Sequence, residues 1–267
     1  MRSAAVVSWP RCEDAMSPLR RLLPPSVYHH SYSPPWPPTH RFPMWKFHDL
    51  ALQLLKDQLV TAWEDFVMPQ PLQEEWIFLA HEEDYYRRFC SDTLDPAALR
   101  RIGFAQRPDH RQLVARTCWE AAGTLTCARE ALKVGMAGHC AGGTHHAHRA
   151  WGSGYTVLND LAITAKVLLQ EKAVSKILIC DLDVHQGDGT AEILQDEPRA
   201  FTMSVHCKEN FPFGFKVPLA VVRHVNSPYV TLDSRDGGDT HLARQMVRKK
   251  DGPKFRVDSV DLSCGTL

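Results

Sequence analysis

Apolar residues recur at helical spacing in two long segments of the chain. Within residues 45–63 they occupy positions 47, 50, 51, 54, 55 and 59. Within residues 110–132 one side of the segment carries Leu113, Val114, Cys118, Ala121, Ala122 and Leu125. Because a period of 3.6 residues places such positions on one face, the spacing predicts a helix over each segment.

The pattern changes beyond residue 132, where short apolar runs alternate with a further helical segment. We predict strands over residues 134–137, 176–180 and 201–206, and a helix over residues 159–170. Strands that alternate with helices are typical of a parallel sheet with helices on both faces. The predicted fold class is therefore α/β, with three αβα layers around a mainly parallel sheet.

The same pattern indicates one folded domain with an N-terminal extension. Residues 1–23 carry four arginines but lack the apolar stretch of a secretory signal. We predict a poorly ordered extension there, with organellar targeting as the weaker alternative. Residues 24–43 hold seven prolines, which exclude a regular helix and predict an ordered loop. No repeat or linker interrupts the remainder, so the domain is predicted to span residues 24–267.

Composition and charge exclude several classes of protein. Hydrophobic residues make up 44% of the chain and charged residues 23%, which is typical of a globular protein rather than a disordered one. The 31 basic residues balance the 31 acidic ones, so direct nucleic-acid binding is not indicated. No apolar run reaches the ~18 residues of a membrane span, which predicts a soluble protein. Eight cysteines form no C-x-x-C pair, which predicts reduced thiols in a nuclear or cytoplasmic protein.

The most informative segment follows the strand predicted at 176–180. Asp181, Asp183, His185 and Asp188 fall within eight positions, at the end of a parallel strand where α/β proteins bind ligands. Asp183 and His185 offer one oxygen and one nitrogen donor, which suits Zn²⁺ or another divalent ion. A simple acidic turn would explain one such residue. Four ionisable groups need a neutralising charge, which a metal ion supplies.

A second cluster lies in residues 138–148, where His145 and His146 follow a glycine-rich turn. Adjacent imidazoles presented by a loop suit proton transfer, although a His-His pair alone is weak evidence. Beside an acidic strand end, spare carboxylates can orient the imidazoles, as an aspartate orients histidine in hydrolytic triads. His139 and His148 have no role in this interpretation, and we expect both to be structural or exposed.

Together, four motifs resemble the zinc-dependent histone deacetylase family. They are Gly-Thr-His-His-Ala at 143–147, Gly-Tyr-Thr-Val-Leu-Asn-Asp at 154–160, Asp-Leu-Asp-Val-His-Gln-Gly-Asp-Gly-Thr at 181–190 and Ser-Val-His at 204–206. The runs at 40–44 and 211–213 are similar to the class IV-like branch. The resemblance implies the arginase/deacetylase type of α/β fold. It also implies hydrolysis of acetyl-lysine amides on histones or other proteins, and hence chromatin regulation.

The resemblance assigns roles to both clusters. Asp183 and His185 match two of the three metal ligands of the family. The catalytic set that it implies is His145, His146, Asp181 and Asp188. His146 is then expected to act as the general base that activates metal-bound water and as the acid that protonates the leaving amine. His145 is expected to assist electrostatically.

Two further sites follow from the same resemblance. Gly154 and Tyr155 match the pair that lines the acyl-lysine tunnel. Phe211 is expected to form the opposite wall, with an ordinary core position as the alternative. A monovalent-cation site, expected to hold K⁺, matches Asp181, Asp183, His185, Ser204 and Val205.

The C-terminal part departs from the family pattern. Residues 216–228 fit it poorly, residues 230–239 match an acidic loop, and the third metal ligand is expected at Leu267, the last residue of the sequence. Leucine cannot ligate a metal, and the segment with the tyrosine that polarises the substrate carbonyl is not found. The resemblance therefore predicts a C-terminally truncated domain with little activity.

Two alternatives stay open at the level of sequence. The first is an acetylpolyamine-type or other small-amide hydrolase of the same fold. Within it, the Asp183-x-His185-x-x-Asp188 spacing disfavours arginase chemistry, for which Asp-x-His-x-Asp is expected. The second alternative is a catalytically inactive homologue that acts as a binding module. An assay of amide hydrolysis with several acylated amines discriminates among these functions.

Overall fold

The computed structural model describes residues 23–207, 210–213 and 230–233, the last range at the level of its backbone. The helices are α1 (Lys46–Lys56), α2 (Glu74–Phe78), α3 (Glu83–Cys90), α4 (Pro96–Ile102), α5 (His110–Val134), α6 (Asp160–Gln170) and α7 (Asp188–Leu194). The strands are β1 (Ser26–Val27), β2 (Gly138–His139), β3 (Ile177–Asp181), β4 (Ala200–His206) and β5 (Val230–Asp233). Most of the N-terminal extension predicted over residues 1–23 lies outside the described residues.

All strand pairs in the described part of the chain are parallel. β1 pairs with β2, while β3, β4 and β5 form a second sheet in that order. Asp181, at the end of β3, lies opposite Ser204 of β4, and Ser204 lies opposite Thr231 of β5. The carboxyl ends of β3 and β4 therefore lie side by side. The predicted α/β class with parallel strands is confirmed.

The long helix α5 packs against two apolar clusters. It contributes Leu113 to one cluster and Ala121 and Leu125 to the other. The first cluster also includes Tyr32, Met44, Phe47, Phe89, Ile102 and Phe104. The second also includes Ile77, Leu158, Ile163, Leu169, Ile193 and Leu194. Burial on two sides fixes α5, and with it the start of the loop that leads towards the histidine cluster.

Side-chain caps mark the starts of α5 and α6, and a glycine marks the end of α5. Asp109 Oδ1 accepts from the Arg111 N–H at the start of α5 (2.9 Å). Asn159 Oδ1 accepts from the Ala162 N–H at the start of α6 (2.9 Å). Both satisfy amide groups that have no partner within the helix. Gly135, with φ of +96°, ends α5 in the left-handed conformation that favours glycine.

Most predicted segments are confirmed, and three boundaries are wrong. The helix predicted over 45–63 ends at Lys56, because Gln58 adopts a φ of +57° that no helix continues. The strand predicted at 134–137 lies at Gly138–His139, because Val134 still belongs to α5. Residues 230–233, predicted as the start of an acidic loop, pair with β4 as a strand.

Helices α2, α3 and α4 were not apparent from the sequence pattern. They have 5, 8 and 7 residues, too few for a helical period to repeat convincingly. Within the described residues, no helix combines the length and the apolar character that crossing a membrane would require.

Candidate active site

Two loops meet at the carboxyl ends of the parallel strands. One joins β3 to α7. The other, here called the histidine loop, comprises residues 140–148 and follows β2. The N–H of Thr190, in the first turn of α7, donates to the His145 carbonyl (3.1 Å). The two clusters that the sequence singled out are thus held together in space.

Each tandem histidine is bonded to one aspartate. Nδ1 of His145 lies 2.6 Å from Oδ2 of Asp181, and Nδ1 of His146 lies 2.7 Å from Oδ1 of Asp188. An ionised carboxylate only accepts hydrogen bonds, so each Nδ1 must carry the proton. The two rings are neighbours, with centroids 4.0 Å apart. The structure therefore brings together all four residues of the predicted catalytic set.

The two histidines differ in the direction of their pKa shifts. Burial opposes the charged form of His145, but the hydrogen bond and the negative charge of Asp181 outweigh it, and the pKa of His145 is raised. For His146, burial is the dominant effect and the pKa is lowered, although the hydrogen bond to Asp188 works against it. The surroundings thus favour the charged form more at His145 than at His146.

The predicted metal ligands lie on the loop between β3 and α7. Oδ1 of Asp183 accepts from the backbone N–H of His185 and lies 2.8 Å from its Nδ1. Their side chains are 49% and 36% exposed, so both are accessible to a ligand. Nε2 of His145 lies 3.8 Å from Oδ1 of Asp183, so the predicted metal ligands lie directly beside the histidine loop.

These donors fit a divalent ion in type, and they would supply part of its coordination sphere. Carboxylate oxygen with imidazole nitrogen is a usual donor set for Zn²⁺. Among the residues that the structure describes, no three His, Cys, Asp or Glu side chains form a group placed to hold a metal ion. Leu267, the position predicted for the third ligand, lies outside the described residues.

The predicted tunnel residues lie on different sides of the site. The Phe211 ring stands edge-on to His146, with centroids 4.8 Å apart. A Cβ on Gly154 would lie 2.6 Å from Cδ2 of His146 and 3.0 Å from Cε1 of Phe211, so only glycine allows this close approach. The Tyr155 ring instead contacts Phe42 and Phe104, as part of the first apolar cluster. Lining of a tunnel by Tyr155 stays a prediction.

Residues of the predicted monovalent-cation site also lie near one another. Asp181 and Ser204 are opposite each other on β3 and β4. The Ser204 hydroxyl accepts from the Gly187 N–H (3.4 Å) and lies 2.9 Å from Nδ1 of His206. The strand register explains why these distant positions converge. Binding of K⁺ stays a prediction.

Asp160 holds the histidine loop, a role that the sequence analysis missed. Its carboxylate accepts from the N–H groups of Gly143 (2.9 Å) and Thr144 (2.8 Å), and from the Thr144 hydroxyl (2.6 Å). The neighbouring Asn159 amide donates to the Ala147 carbonyl (3.0 Å). Both residues belong to the motif at 154–160. Their position at the start of the helix predicted over 159–170 was the signal available in the sequence, since the side chains of capping residues bond to backbone groups.

His139 is structural, which is one of the two predicted alternatives, structural or exposed. Its Nδ1 lies 3.0 Å from Oγ1 of Thr124, whose hydroxyl donates to Asp160, and its Nε2 lies 2.9 Å from the Tyr32 hydroxyl. The directions are consistent only if Nδ1 carries the proton and Nε2 accepts from Tyr32. Burial lowers the pKa of His139 to about 4, in keeping with a neutral ring.

His148 is buried rather than exposed, and it contacts the catalytic set. Nε2 of His148 lies 3.2 Å from Oδ2 of Asp188, and its Nδ1 lies 3.1 Å from Oε2 of Glu192. The only sequence signal for these contacts was the pair of acidic residues four positions apart in a short helix. That spacing places both carboxylates on one side of α7.

Comparisons with known proteins agree on one family. The profile of the histone deacetylase domain matches residues 40–241. An uncharacterized protein of Picosynechococcus is 48% identical over 188 residues, which cover 70% of this chain and 61% of that protein. Histone deacetylase clr6 of Schizosaccharomyces pombe is 33% identical over 130 residues, covering 47% of this chain and 32% of that protein.

Solved structures give the same result. A histone deacetylase homologue from Aquifex aeolicus superposes with a TM-score of 0.57 at 25% sequence identity, covering 69% of this chain and 51% of that one. A histone deacetylase homologue in complex with SAHA gives a TM-score of 0.57 at 26% identity, covering 69% of this chain and 51% of that one. The chain thus spans 61% or less of the length of these relatives.

Proposed function

This chain belongs to the histone deacetylase family, and on that premise we propose that it hydrolyses the acetyl-lysine amide of histones or other proteins. The observation that carries the proposal is the pair of His–Asp bonds, 2.6 and 2.7 Å long, at the carboxyl ends of β3 and β4. Nε2 of His145 lies 3.8 Å from Oδ1 of Asp183, and the ring centroids of His146 and His185 are 5.6 Å apart, so both histidines adjoin the two predicted metal ligands. Family membership confirms the resemblance drawn from the four motifs. The branch within the family stays a prediction.

His146 is proposed as the general base. Its Nδ1–H is directed to Asp188, so its Nε2 is the unprotonated nitrogen. Burial lowers the pKa of His146, which keeps the ring neutral and able to accept a proton from the attacking water. The same nitrogen can then return the proton to the leaving lysine amine, because it carries that proton once the water has attacked.

His145 is proposed to act electrostatically. Its raised pKa favours the imidazolium form, with Asp181 as the partner charge. A fixed positive charge beside the reacting carbonyl stabilises the negative charge that develops on its oxygen. Phe211 and Gly154 contact the His146 ring and limit the access of water to it.

Asp183 and His185 are the residues proposed to hold a divalent ion, with Zn²⁺ as the expected metal. When bound, such an ion polarises the amide carbonyl and lowers the pKa of water. Among the described residues, no third His, Cys, Asp or Glu side chain joins Asp183 and His185 in a group that could hold the ion. The acetylated substrate, the metal and the K⁺ site all belong to this proposal.

The test is acetate release from an acetyl-lysine peptide in the presence of Zn²⁺. It uses the 267-residue chain and, in parallel, the protein at the length at which the cell makes it. We expect acetate release by at least one of the two forms, and in that form the His146→Gln variant should lower turnover by about 10²–10⁴-fold, the usual contribution of general acid–base catalysis. The control is His30→Ala, which changes an exposed ring that stacks on His29.

Two outcomes contradict the proposal. The first is no acetate release from either form of the protein. The second is release from acetylpolyamine but not from the peptide, which would favour the small-amide hydrolase. Equal turnover of wild type and His146→Gln would show that another group is the base.

A further inference from the structure

Beyond the two His–Asp pairs, the site contains a third imidazole, that of His148, which shares the Asp188 carboxylate with His146. The two oxygens of Asp188 face different rings, with Oδ1 bonded to Nδ1 of His146 and Oδ2 to Nε2 of His148. Asp188 and His148 are each 1% exposed, so water does not compete for these bonds. His148 is one of the residues that the family motifs left without a role.

The comparison with the other pair shows what His148 does. Oδ2 of Asp181 bonds to His145, and its Oδ1 accepts from the backbone N–H of Asp183 (3.0 Å). Each aspartate is therefore held at both oxygens. For Asp181 the second donor is a backbone amide, whereas for Asp188 it is the His148 side chain.

His148 is itself fixed from three directions. Its Nδ1 lies 3.1 Å from Oε2 of Glu192, and its ring stacks on Trp151 with centroids 3.7 Å apart and planes 10° from parallel. Its backbone N–H donates to the Trp151 carbonyl (2.8 Å). Asp188 and Glu192 are four residues apart on α7, so one face of that helix presents a carboxylate to each ring nitrogen.

The protonation of His148 follows from its partners. Carboxylates only accept, so both ring nitrogens must donate, and His148 is an imidazolium between two anions. The pKa of His148 agrees: burial opposes the charge, but the bonds to Asp188 and Glu192 outweigh burial and raise the pKa.

We propose that His148 is a positioning residue for His146. By bridging Asp188 and Glu192, it holds the Asp188 carboxylate in the one orientation that keeps the proton of His146 on Nδ1. Without it, Asp188 can turn and His146 can adopt the other tautomer, with its Nε2 protonated and unable to accept a proton. The catalytic part of this inference rests on the proposed function, but the arrangement of the three side chains does not.

The test measures the tautomer of His146 directly. In the chain labelled with ¹⁵N-histidine, long-range ¹H–¹⁵N imidazole correlations report which nitrogen carries the proton, and the His146→Gln variant assigns the signals. We expect the Nδ1–H tautomer in the wild type and a mixture of tautomers in His148→Phe, which keeps a ring on Trp151 but has no donor. The matched control is His110→Phe, which removes a ring bonded to the Phe89 carbonyl (2.6 Å) away from the two His–Asp pairs.

A second pair of variants separates positioning from packing. The amide nitrogen of glutamine can occupy the place of Nε2 and reach Asp188, whereas that of asparagine occupies the place of Nδ1 and reaches only Glu192. We therefore expect His148→Gln to keep the His146 tautomer of the wild type and His148→Asn to lose it. This pair decides the question also if His148→Phe does not fold.

Kinetics give an independent readout. With acetyl-lysine peptide, His148→Asn should lower kcat by about 10–100-fold, the usual effect of removing an outer partner, with little change in KM. A His146 tautomer that is the same in His148→Asn and His148→Gln overturns the inference. If no variant or wild type shows turnover but the tautomers differ as expected, the proposed function fails and the positioning role of His148 stands.

Discussion

At the level of single residues, Asp160 shows how one buried carboxylate shapes the candidate site. Its side chain is fully buried and accepts hydrogen bonds from Gly143, Thr144 and Thr124. Removing it leaves the buried N–H and the buried hydroxyl of Thr144 without this acceptor, and each such loss costs about 1–3 kcal/mol. The loop geometry thus depends on a residue outside the catalytic set.

We predict that Asp160→Ala lowers the free energy of unfolding by about 3–5 kcal/mol, because four donors lose their carboxylate acceptor and two of them are buried. Urea denaturation of the chain gives this value. The control is Asp84→Ala, whose carboxylate is 81% exposed and pairs with Arg88 at 3.8 Å. A surface pair of that kind contributes at most about 1 kcal/mol. Similar losses in the two variants would contradict the prediction.

His81 makes stability depend on pH. The ring is 1% exposed and its Nε2 accepts from the Asn159 N–H (2.8 Å). Burial lowers the pKa of His81 to about 4 from 6.5, so the folded state keeps this ring neutral while the unfolded state is protonated below pH 6.5. Its contribution to stability is therefore complete above pH 6.5 and is lost as the pH falls towards 4.

Accordingly, we predict that the free energy of unfolding depends less on pH in His81→Asn than in the wild type, because the variant has no imidazole at this position to protonate. Between pH 6.5 and pH 4 the wild type should lose about 1.4 kcal/mol per pH unit more than the variant does. Denaturation curves at several pH values measure the difference. Tyr85→Phe, which removes a buried hydroxyl bonded to the Val157 carbonyl (2.9 Å), should lower stability without changing this pH dependence. Parallel profiles for wild type and His81→Asn would show that His81 does not titrate in this way.

At the level of elements, the close contact between α7 and the histidine loop requires a glycine. A Cβ on Gly189 would lie 2.2 Å from the Ala147 carbonyl oxygen, which is backbone and cannot move aside. This contact allows Asp188, the preceding residue, to reach His146. The first turn of α7 therefore sets the distance between base and carboxylate.

We predict that Gly189→Ala destabilises the chain by about 1–3 kcal/mol, since overpacking forces the backbone to shift. The His146 Nδ1–H signal should also weaken as α7 moves away from the loop. Gly138→Ala is the matched control, because the nearest atom to its Cβ would be Oγ of Ser26 at 3.9 Å. Thermal unfolding and the imidazole correlations measure both effects. Gly189→Ala as stable as Gly138→Ala would contradict the structural basis of this prediction.

At the level of the whole molecule, metal binding should stabilise the folded chain. A ligand that binds the folded state alone raises the free energy of unfolding, by about 2.7 kcal/mol at 100 times its Kd. We predict that Zn²⁺ raises the Tm of the wild type and that the Asp183→Ala, His185→Ala double variant loses most of that rise. An Asp84→Ala, His30→Ala double variant, with the same substitutions at exposed positions, should respond as the wild type does. Equal rises in all three proteins would place the metal elsewhere.

Local sequence determined the elements that are long or chemically distinctive. The helices α5 and α6 and the strands β3 and β4 follow from apolar spacing alone, because that spacing is a property of neighbouring residues. The family followed from four short motifs, and the candidate catalytic set from two of them, 143–147 and 181–190, since the tandem histidines and the acidic strand end are each contiguous in the chain. Such motifs can be identified without knowing how the rest of the chain folds.

Tertiary structure alone decided which side chains share a bond. His145 pairs with Asp181 and His146 with Asp188 across 36 and 42 positions, and no local pattern distinguishes this pairing from the reverse. The burial of His148 between Asp188 and Glu192 has the same origin, because the sequence of the histidine loop does not show that α7 packs against it. Contacts between distant segments depend on the relative placement of whole elements, and that placement is set by the shared burial of their apolar faces rather than by either segment alone.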